Sequence, residues 1–177
     1  DASIFKYDVS SYNKNSFNFI TVGNLLENKR MDLLITSFAE AFKNKNNVKL
    51  YIYGDGSERK KLEKLIDNLN MANNIFLMGL VDRLTIANKM KECQCFVLVS
   101  RSETFGVAYI EAMVAGLPVI ATKCGGPEDF VNESNGILIE VDNHRQLINA
   151  LLHMYNNSDQ YNKELISKEI IKKYSSH

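Results

Sequence analysis

The amino-acid sequence predicts an α/β protein built on a Rossmann-like, doubly wound parallel sheet. Apolar runs of strand length alternate with helical patterns along the chain. Several of those runs, such as residues 96–99 (FVLV) and 119–121 (VIA), show no polar alternation. Strands that are covered on both faces have this composition, and alternation of strands with helices implies right-handed crossovers between parallel strands.

Hydrophobic spacing places the expected elements in order along the chain. The apolar residues at 31, 34, 35, 38 and 42 share one helical face, and Ser57 is the expected N-cap of the next helix. The expected strands are residues 17–23, 48–53, 74–78, 95–100, 118–122 and 137–141. The expected helices are residues 28–44, a helix after Ser57 with Leu62, Leu65, Ile66 and Leu69, then 82–92, 105–115, a short helix at 127–133, 144–155 and 159–174.

These elements suggest three parts of the chain. We expect a leading segment at residues 1–16, a Rossmann-like domain at 17–157 and a truncated C-terminal helix at 158–177. The first residue is not methionine, and both ends have the appearance of boundaries within a longer protein.

Composition excludes several classes of partner. Lysine plus arginine equals aspartate plus glutamate, 21 each, which gives no electrostatic case for nucleic-acid binding. No stretch approaches the roughly 20 apolar residues of a membrane span. The three cysteines, Cys93, Cys95 and Cys124, have no zinc spacing and are expected to be buried in a reducing compartment. We therefore expect a cytoplasmic protein without a metal.

The loops that follow the predicted strands are rich in glycine. Ligands of doubly wound sheets bind outside the carboxyl ends of the strands, where glycine lets the backbone approach them closely. Glycine-rich turns are also common in loops without a ligand. Seven of the nine glycines lie in these loops: Gly23, Gly54, Gly56, Gly79, Gly106, Gly125 and Gly126.

Two glutamates, Glu103 and Glu111, give the sharpest signal for a site. Glu111 is the only charged residue between Thr104 and Thr122, in a predicted helix with almost no polar face. A carboxylate there is costly unless it accepts hydrogen bonds, which a pair of ribose hydroxyls would supply. The alternative is an ordinary solvated glutamate.

The start of the same helix is suited to an anion. Gly106 and Val107 fall in its first turn, where backbone N–H groups lack internal partners and the helix dipole favours negative charge. A phosphate there would leave Glu111 near a ribose, and Glu103 near whatever is attached to the far phosphate.

Residues 100–126 (SRSETFGVAYIEAMVAGLPVIATKCGG) resemble the E-x7-E signature region of family 4 glycosyltransferases, also called glycosyltransferase group 1. The matching features are the two glutamates with FG between them, EAM after them, then GLPVIAT and the double glycine. The other blocks that resemble the family are residues 1–7, 23–42, 50–56 (GDG at its end), 75–81 and 135–138. The resemblance covers nearly the whole chain but only the C-terminal domain of this two-domain, GT-B family. It implies that residues 1–16 are an interdomain segment and that residues 17–157 form the nucleotide-sugar-binding domain.

The resemblance implies a retaining transferase that moves a sugar from a UDP- or GDP-sugar donor, without a cofactor or a metal. It implies that Glu103 and Lys29 are catalytic, with Glu103 on the donor sugar and Lys29 on the departing diphosphate. It implies that Glu111 holds the ribose, that the Gly79–Val81 backbone meets the base, and that other loop residues complete the donor site. The implied donor-binding residues are Glu111, Gly106, Val107, Phe105, Thr104, Gly23, Asn24, Gly54, Gly79, Leu80, Val81, Gly125 and Gly126.

Two positions depart from the family's pattern. Asn24 stands where the family often has arginine, so one cation of an Arg/Lys phosphate pair is missing. Arg30 stands where the family usually has glycine after the lysine. Arg30 or Arg101 is therefore expected to compensate for the missing cation.

The acceptor is not readable from these residues. The resemblance implies a glycan or lipid-linked acceptor bound by the absent N-terminal domain, with polysaccharides or other surface glycans as products. Any membrane contact would be peripheral, through that domain, at the inner face. The isolated chain is then expected to be inactive. Two alternatives stay open, a GT-B sugar-nucleotide epimerase and a nucleotide-binding domain without catalysis, the latter favoured by Asn24.

Overall fold

Six strands form one parallel sheet in the order β3-β2-β1-β4-β5-β6. The computed structural model describes residues 2–6 and 16–175 of the chain. The strands are β1 (Phe17–Val22), β2 (Val48–Tyr53), β3 (Ile75–Gly79), β4 (Cys95–Leu98), β5 (Val119–Thr122) and β6 (Gly136–Ile139). The predicted doubly wound, Rossmann-like class is therefore confirmed.

Helices cover both faces of this sheet. Helix α1 packs against α2 and α5, whereas α4 packs against α6. The helices are α1 (Met31–Phe42), α2 (Arg59–Asn68), α3 (Arg83–Lys91), α4 (Val107–Val114), α5 (His144–Asn157) and α6 (Lys163–Ser175). Short 3₁₀ helices lie at Ala2–Phe5, Glu27–Lys29, Gly126–Asp129 and Ser158–Gln160.

The sheet reverses its direction of winding between β1 and β4. These strands are adjacent through the pairs Phe19–Cys95 and Ile20–Phe96, yet they are separated in sequence by two strands and three helices. The loops that leave their carboxyl ends diverge to opposite faces of the sheet. A crevice forms at such a switch point, which places the ligand-binding edge next to residues 23–30 and 99–106.

Apolar side chains on both faces of the sheet form one core. The predicted apolar face of α1 is buried, and its residues Phe38 and Phe42 pack against Phe19 of β1. On the other side, the hydroxyl of Ser167 in α6 donates to the carbonyl of Val114 in α4 at 2.7 Å. The two helical layers hold the switch-point loops from both sides.

Several predicted helix boundaries differ from the structure because local backbone geometry interrupts the pattern. Arg30 adopts a left-handed conformation (φ 49°), so α1 begins at Met31 and the preceding turn is a 3₁₀ helix. Gly106 (φ 68°) likewise delays α4 until Val107. The predicted helix at 127–133 is a 3₁₀ turn at Gly126–Asp129, and the predicted helix at 159–174 is divided into a 3₁₀ turn and α6.

The predicted N-cap of α2 is wrong. The cap position is Glu58 rather than Ser57, and no side chain accepts a capping hydrogen bond there. The backbone amide of Glu58 donates instead to the carbonyl of Leu25 at 2.9 Å, which ties α2 to the loop after β1.

The proposed division of the chain at residues 16 and 157 stays a prediction. Residues 2–5 form a 3₁₀ helix that contacts α3 and α4, with Phe5 fully buried. The rest of the predicted interdomain segment, Asp1 and residues 7–15, lies outside the described residues, as do Ser176 and His177.

Gly54 holds the loops after β1 and β2 together, and we expect Gly54→Ala to lower the free energy of unfolding by about 3 kcal/mol. Its φ is 138°, and an added Cβ would lie 1.9 Å from the carbonyl oxygen of Gly23. Urea unfolding measures the effect. Gly23→Ala is the matched control, because its Cβ would lie 3.5 Å or more from its neighbours. Equal stabilities of the two variants would contradict the prediction.

Candidate functional site

A cavity of about 450 Å³ opens at the switch point, between the loops that follow β1 and β4. Helix α3 supplies an apolar wall through Ile86 and Met90, and the start of α4 supplies the floor. The residues that line it are Val22, Gly23, Asn24, Lys29, Ile86, Met90, Leu98, Glu103, Thr104, Phe105, Gly106, Val107, Ala108, Tyr109 and Glu111. The structure therefore brings together both predicted glutamates and the predicted lysine.

Glu103 and Lys29 form an ion pair inside this cavity. The Nζ atom of Lys29 lies 2.5 Å from Oε1 of Glu103, and both side chains are mostly buried. The hydroxyl of buried Ser100 donates to the same carboxylate oxygen at 2.8 Å. Two donors on one oxygen orient the carboxylate and leave Oε2 for another partner.

The glycines after β5 support the backbone of Glu103. The amide of Gly126 donates to the carbonyl of Glu103 at 2.8 Å, and the amide of Glu103 donates to the carbonyl of Cys124 at 3.3 Å. A Cβ on Gly125 would lie 2.8 Å from the same Glu103 carbonyl oxygen. Gly125 and Gly126 are therefore required behind Glu103, although they are not among the residues that line the cavity.

The N-terminus of α4 opens into the cavity. The first intrahelical hydrogen bond runs from the amide of Ile110 to the carbonyl of Gly106, so the preceding amides have no helical acceptor. Thr104, Phe105 and Val107 surround this end with exposed side chains, and Phe105 is 75% exposed. The combination of free amides and the helix dipole suits a phosphate group.

Glu111 lies farther along α4, on the same cavity. Partial burial raises the pKa of this carboxyl, while the nearby Arg83 opposes the shift. The Nη2 atom of Arg83 lies 3.5 Å from Oε1 of Glu111, and the guanidinium lies over the ring of Phe5. Glu111, whose side chain is 20% exposed, is thus a largely buried acceptor whose single ion-pair partner among the described residues is an exposed arginine.

The loops after β2 and β3 lie at the same edge of the sheet but do not line the cavity. The amide of Gly54 donates to the carbonyl of Gly79 at 2.9 Å, which joins the two loops. Beyond them, Leu80 is 76% exposed and Val81 is partly exposed. Gly54, Gly79, Leu80 and Val81 therefore lie beside the cavity rather than in it.

Neither arginine expected to replace the missing cation lies in the cavity. Arg30 pairs with Asp32 at 3.1 Å and with Asp142. Arg101 pairs with Asp142 at 3.1 Å and approaches Glu27 at 3.7 Å. Both guanidinium groups are committed to carboxylates outside the cavity, so the expected compensation for Asn24 is not present in this structure.

Several residues around the site were not predicted from the sequence, and four of them have a clear role. Ser100 orients Glu103, Arg83 faces Glu111, and Ile86 and Met90 form the apolar wall. Arg83, Ile86 and Met90 belong to α3 and reach the site through contacts between separate elements, for which a single sequence has no local signal. Only the position of Ser100, at the end of a buried strand, pointed toward the edge where ligands bind.

The described residues show no group of three or more His, Cys, Asp or Glu side chains that could hold a metal ion. Within the same part of the chain, no helix is long and apolar enough to cross a membrane.

The chain is similar to known proteins along most of its length. The model of the family "Glycosyl transferases group 1" matches residues 6–171. Poly(ribitol-phosphate) alpha-N-acetylglucosaminyltransferase of Staphylococcus aureus is 36% identical over 159 residues, which cover 87% of this chain and 32% of that protein. The GtfA subunit of a Streptococcus agalactiae UDP-N-acetylglucosamine–peptide N-acetylglucosaminyltransferase is 31% identical over 172 residues, which cover 92% of this chain and 33% of that protein.

Solved structures extend the likeness to three dimensions. A crystal structure of a mutant of S. aureus TarM with fondaparinux, alpha-GlcNAc-glycerol and UDP superimposes with a TM-score of 0.80 at 29% identity, over 97% of this chain and 36% of that one. The C-terminal domain of a group 1 family protein from Francisella tularensis has the same fold, with a TM-score of 0.84 at 21% identity, over 99% of this chain and 97% of that one.

The chain spans about a third of the length of these two curated relatives, 32% and 33%. The family model nevertheless covers nearly all of it, including every residue of the cavity. The chain therefore belongs to the group 1 glycosyl transferases.

Proposed function

We propose that this chain is the donor-binding domain of a retaining, GT-B-type glycosyltransferase of family 4, and that it binds a nucleotide-diphosphate sugar. The observation that supports this most directly is the order of groups along one cavity. Lys29 and Glu103 form a pair before α4, free amides follow at the start of α4, and Glu111 lies about 6 Å farther along the helix axis.

This order fits the parts of a nucleoside diphosphate sugar. The ribose hydroxyls would donate to Glu111, and the diphosphate would accept from the amides of Val107 and its neighbours. The far phosphate would then lie near Lys29, with the sugar beside Glu103. The base would extend from the ribose toward the exposed backbone at 79–81, beside the cavity.

Catalysis in this arrangement would be mainly electrostatic. The bond from the anomeric carbon to the phosphate oxygen would break, and that carbon would form a new bond to the acceptor hydroxyl oxygen. The acceptor proton would pass to the departing diphosphate, on which negative charge develops as it leaves. The ammonium of Lys29 and the helix dipole would stabilise that charge, and preorganised donors of this kind are among the largest contributions to catalysis. Glu103, oriented by Ser100, would position the donor sugar.

The acceptor would bind to an N-terminal domain that the family's whole enzymes contain. The chain alone would then bind a donor without transferring its sugar.

The names of the relatives support a UDP-sugar over a GDP-sugar as the donor. Two relatives are named as N-acetylglucosaminyltransferases, and one of the similar structures contains UDP. We also propose that the transferred sugar is of the hexose type and that the acceptor is a glycan or is lipid-linked. The protein would act in the cytoplasm, at the inner face of the membrane.

Calorimetric titration with UDP, GDP and ADP tests this proposal. We expect one of them to bind with a micromolar to millimolar dissociation constant, and we expect it to be UDP. The charged groups and amides of the cavity all belong to this chain, so we expect the nucleotide to bind without a second domain. A folded sample that binds none of the three nucleotides would overturn the proposal.

One observation favours a second candidate, a nucleotide-binding domain without catalysis. Asn24 lines the cavity where the resemblance expects a cation, and Lys29 is the one lysine or arginine among the lining residues. Under this reading UDP binds, but the full-length protein does not turn over a UDP-sugar. Hydrolysis or transfer of the sugar by the full-length protein would exclude this candidate.

A further inference from the structure

Asp142 lies in the loop between β6 and α5, far in sequence from the glutamates and from Lys29. It adopts a left-handed backbone conformation (φ 58°), as does Arg30 (φ 49°). Such conformations are costly for residues other than glycine, although aspartate and asparagine tolerate them best. Their occurrence at two ion-paired residues indicates that the surrounding contacts impose them.

The Asp142 carboxylate joins the two loops that hold the charged residues of the cavity. One of its partners is Arg30, directly after Lys29. The other partner is Arg101, which lies two residues before Glu103. The Nε atom of Arg101 lies 3.3 Å from Oδ1 and 3.1 Å from Oδ2 of Asp142. One carboxylate therefore bridges the loop of Lys29 to the loop of Glu103, from outside the cavity.

Backbone and amide contacts reinforce this bridge. The amide of Arg101 donates to the carbonyl of Asn28 at 2.9 Å. The side-chain amide of Asn28 donates to the carbonyl of Ser102 at 3.4 Å, and the Ser102 hydroxyl donates back to Asn28 at 3.3 Å. The two loops thus form one unit whose outer side is closed by Asp142.

Partly exposed ion pairs contribute little to global stability. The Asp142 side chain is 42% exposed, so its pairs alone do not account for the two left-handed residues. A glycine at position 30 would adopt that conformation without an anchor, whereas an arginine there adds a side chain that reaches Asp142. The left-handed conformations and ion pairs of Arg30 and Asp142 are therefore better explained by a role in aligning the two loops than by a contribution to the free energy of unfolding.

We propose that Asp142 is a positioning residue, which sets the separation of Lys29 and Glu103 through Arg30 and Arg101. This inference rests on the proposed function. Glu111 and the first turn of α4 have no contact with Asp142 among the hydrogen bonds and ion pairs of the described residues. Asp142 therefore supports the end of the cavity for the far phosphate and the sugar, but not the end for the ribose.

Asp142→Asn tests this inference, because asparagine keeps the shape and tolerates the left-handed backbone while the charge is lost. We expect the affinity for UDP to fall about five- to tenfold, the size of coupling through one ion-pair network. We expect the affinity for UMP, which lacks the far phosphate, to stay unchanged. Calorimetric titration of this chain with both nucleotides, and with GDP and GMP in parallel, gives the ratio of diphosphate affinity to monophosphate affinity.

Glu140→Gln is the matched control. Glu140 lies two residues away and pairs with Lys123 at 2.9 Å, so the variant loses the same charge without touching either loop. We expect its UDP and UMP affinities to equal those of the unmodified chain. A UDP affinity of Asp142→Asn equal to that of the unmodified chain would overturn the positioning role, and so would equal losses for UDP and UMP. An unmodified chain that binds none of the nucleotides would overturn the proposed function as well.

Discussion

Replacing Glu111 with alanine is expected to lower the affinity for the bound nucleotide by about 100-fold. Two ribose hydroxyls donating to one carboxylate make two charge-assisted hydrogen bonds, each contributing about 1.5 kcal/mol or more. The Glu111 side chain is 20% exposed and lines the cavity, so we expect water to compete less for it than for an exposed glutamate. Calorimetric titration of the folded variant measures the loss.

Glu164→Ala is the control for this substitution. Glu164 is an exposed glutamate of α6 that pairs with Lys168 at 3.0 Å, so its loss removes a helical carboxylate without reaching the cavity. We expect unchanged nucleotide affinity. An equal loss in both variants, or no loss in Glu111→Ala, would show that Glu111 does not hold the ribose.

The protonation of Glu111 gives this prediction a pH dependence. Burial raises the pKa of Glu111, so the carboxylate becomes protonated at a higher pH than an ordinary glutamate. Nucleotide affinity should fall as the pH drops through that raised pKa, beyond the fall due to the phosphates, and Glu111→Gln should lack the extra fall. The effect of pH on protein stability has the opposite sign. Above the raised pKa the ionised, buried carboxylate lowers the free energy of unfolding, and this cost disappears as the pH falls below the ordinary pKa of a glutamate.

Replacing Lys29 with methionine is expected to lower the affinity for UDP by about 30-fold, with a much smaller effect on UMP. Methionine keeps the length of the side chain and removes its charge. Lys29 is the one lysine or arginine among the cavity-lining residues, so within the described structure nothing else in the cavity replaces it. Calorimetry with both nucleotides measures the two affinities.

Glu103→Gln is expected to change the UDP affinity in the opposite direction from Lys29→Met. In the free chain Lys29 is held by Glu103 at 2.5 Å, and a diphosphate must attract the ammonium away from that carboxylate. Removing the charge of Glu103 releases Lys29, so UDP without a sugar should bind several-fold more tightly. A weaker affinity in Glu103→Gln would mean that Lys29 and the diphosphate do not exchange in this way.

Local pattern was sufficient for the order and type of the main elements. The six expected strands and the helices around them occur, because their signals are runs of apolar residues that need no knowledge of partners. The failures lie at boundaries. Arg30 interrupts the first predicted helix and Glu58 replaces Ser57 at the start of α2, since loop contacts decide those backbone conformations.

The candidate site shows the same division. Glu111 was identifiable because a charged residue in an apolar helix is visible locally. Glu103 and the glycines were identifiable because they follow predicted strands. Three contacts could not be identified from the sequence: the pairing of Lys29 with Glu103, the hydrogen bond from Ser100 to Glu103, and the contact of Arg83 with Glu111. Arg30 or Arg101 was expected to compensate for the missing cation at the site, whereas the structure pairs both with Asp142 outside the cavity.

The sequence by itself determined the fold class, the edge of the sheet that faces a ligand and the identity of the acidic residues there. Those properties follow from hydrophobic spacing and from the chemistry of single residues. Only the tertiary structure decided which charges share the cavity and which are neutralised outside it. Ion pairs such as Lys29–Glu103 join residues 74 positions apart, and their formation depends on the strand order that brings β1 beside β4.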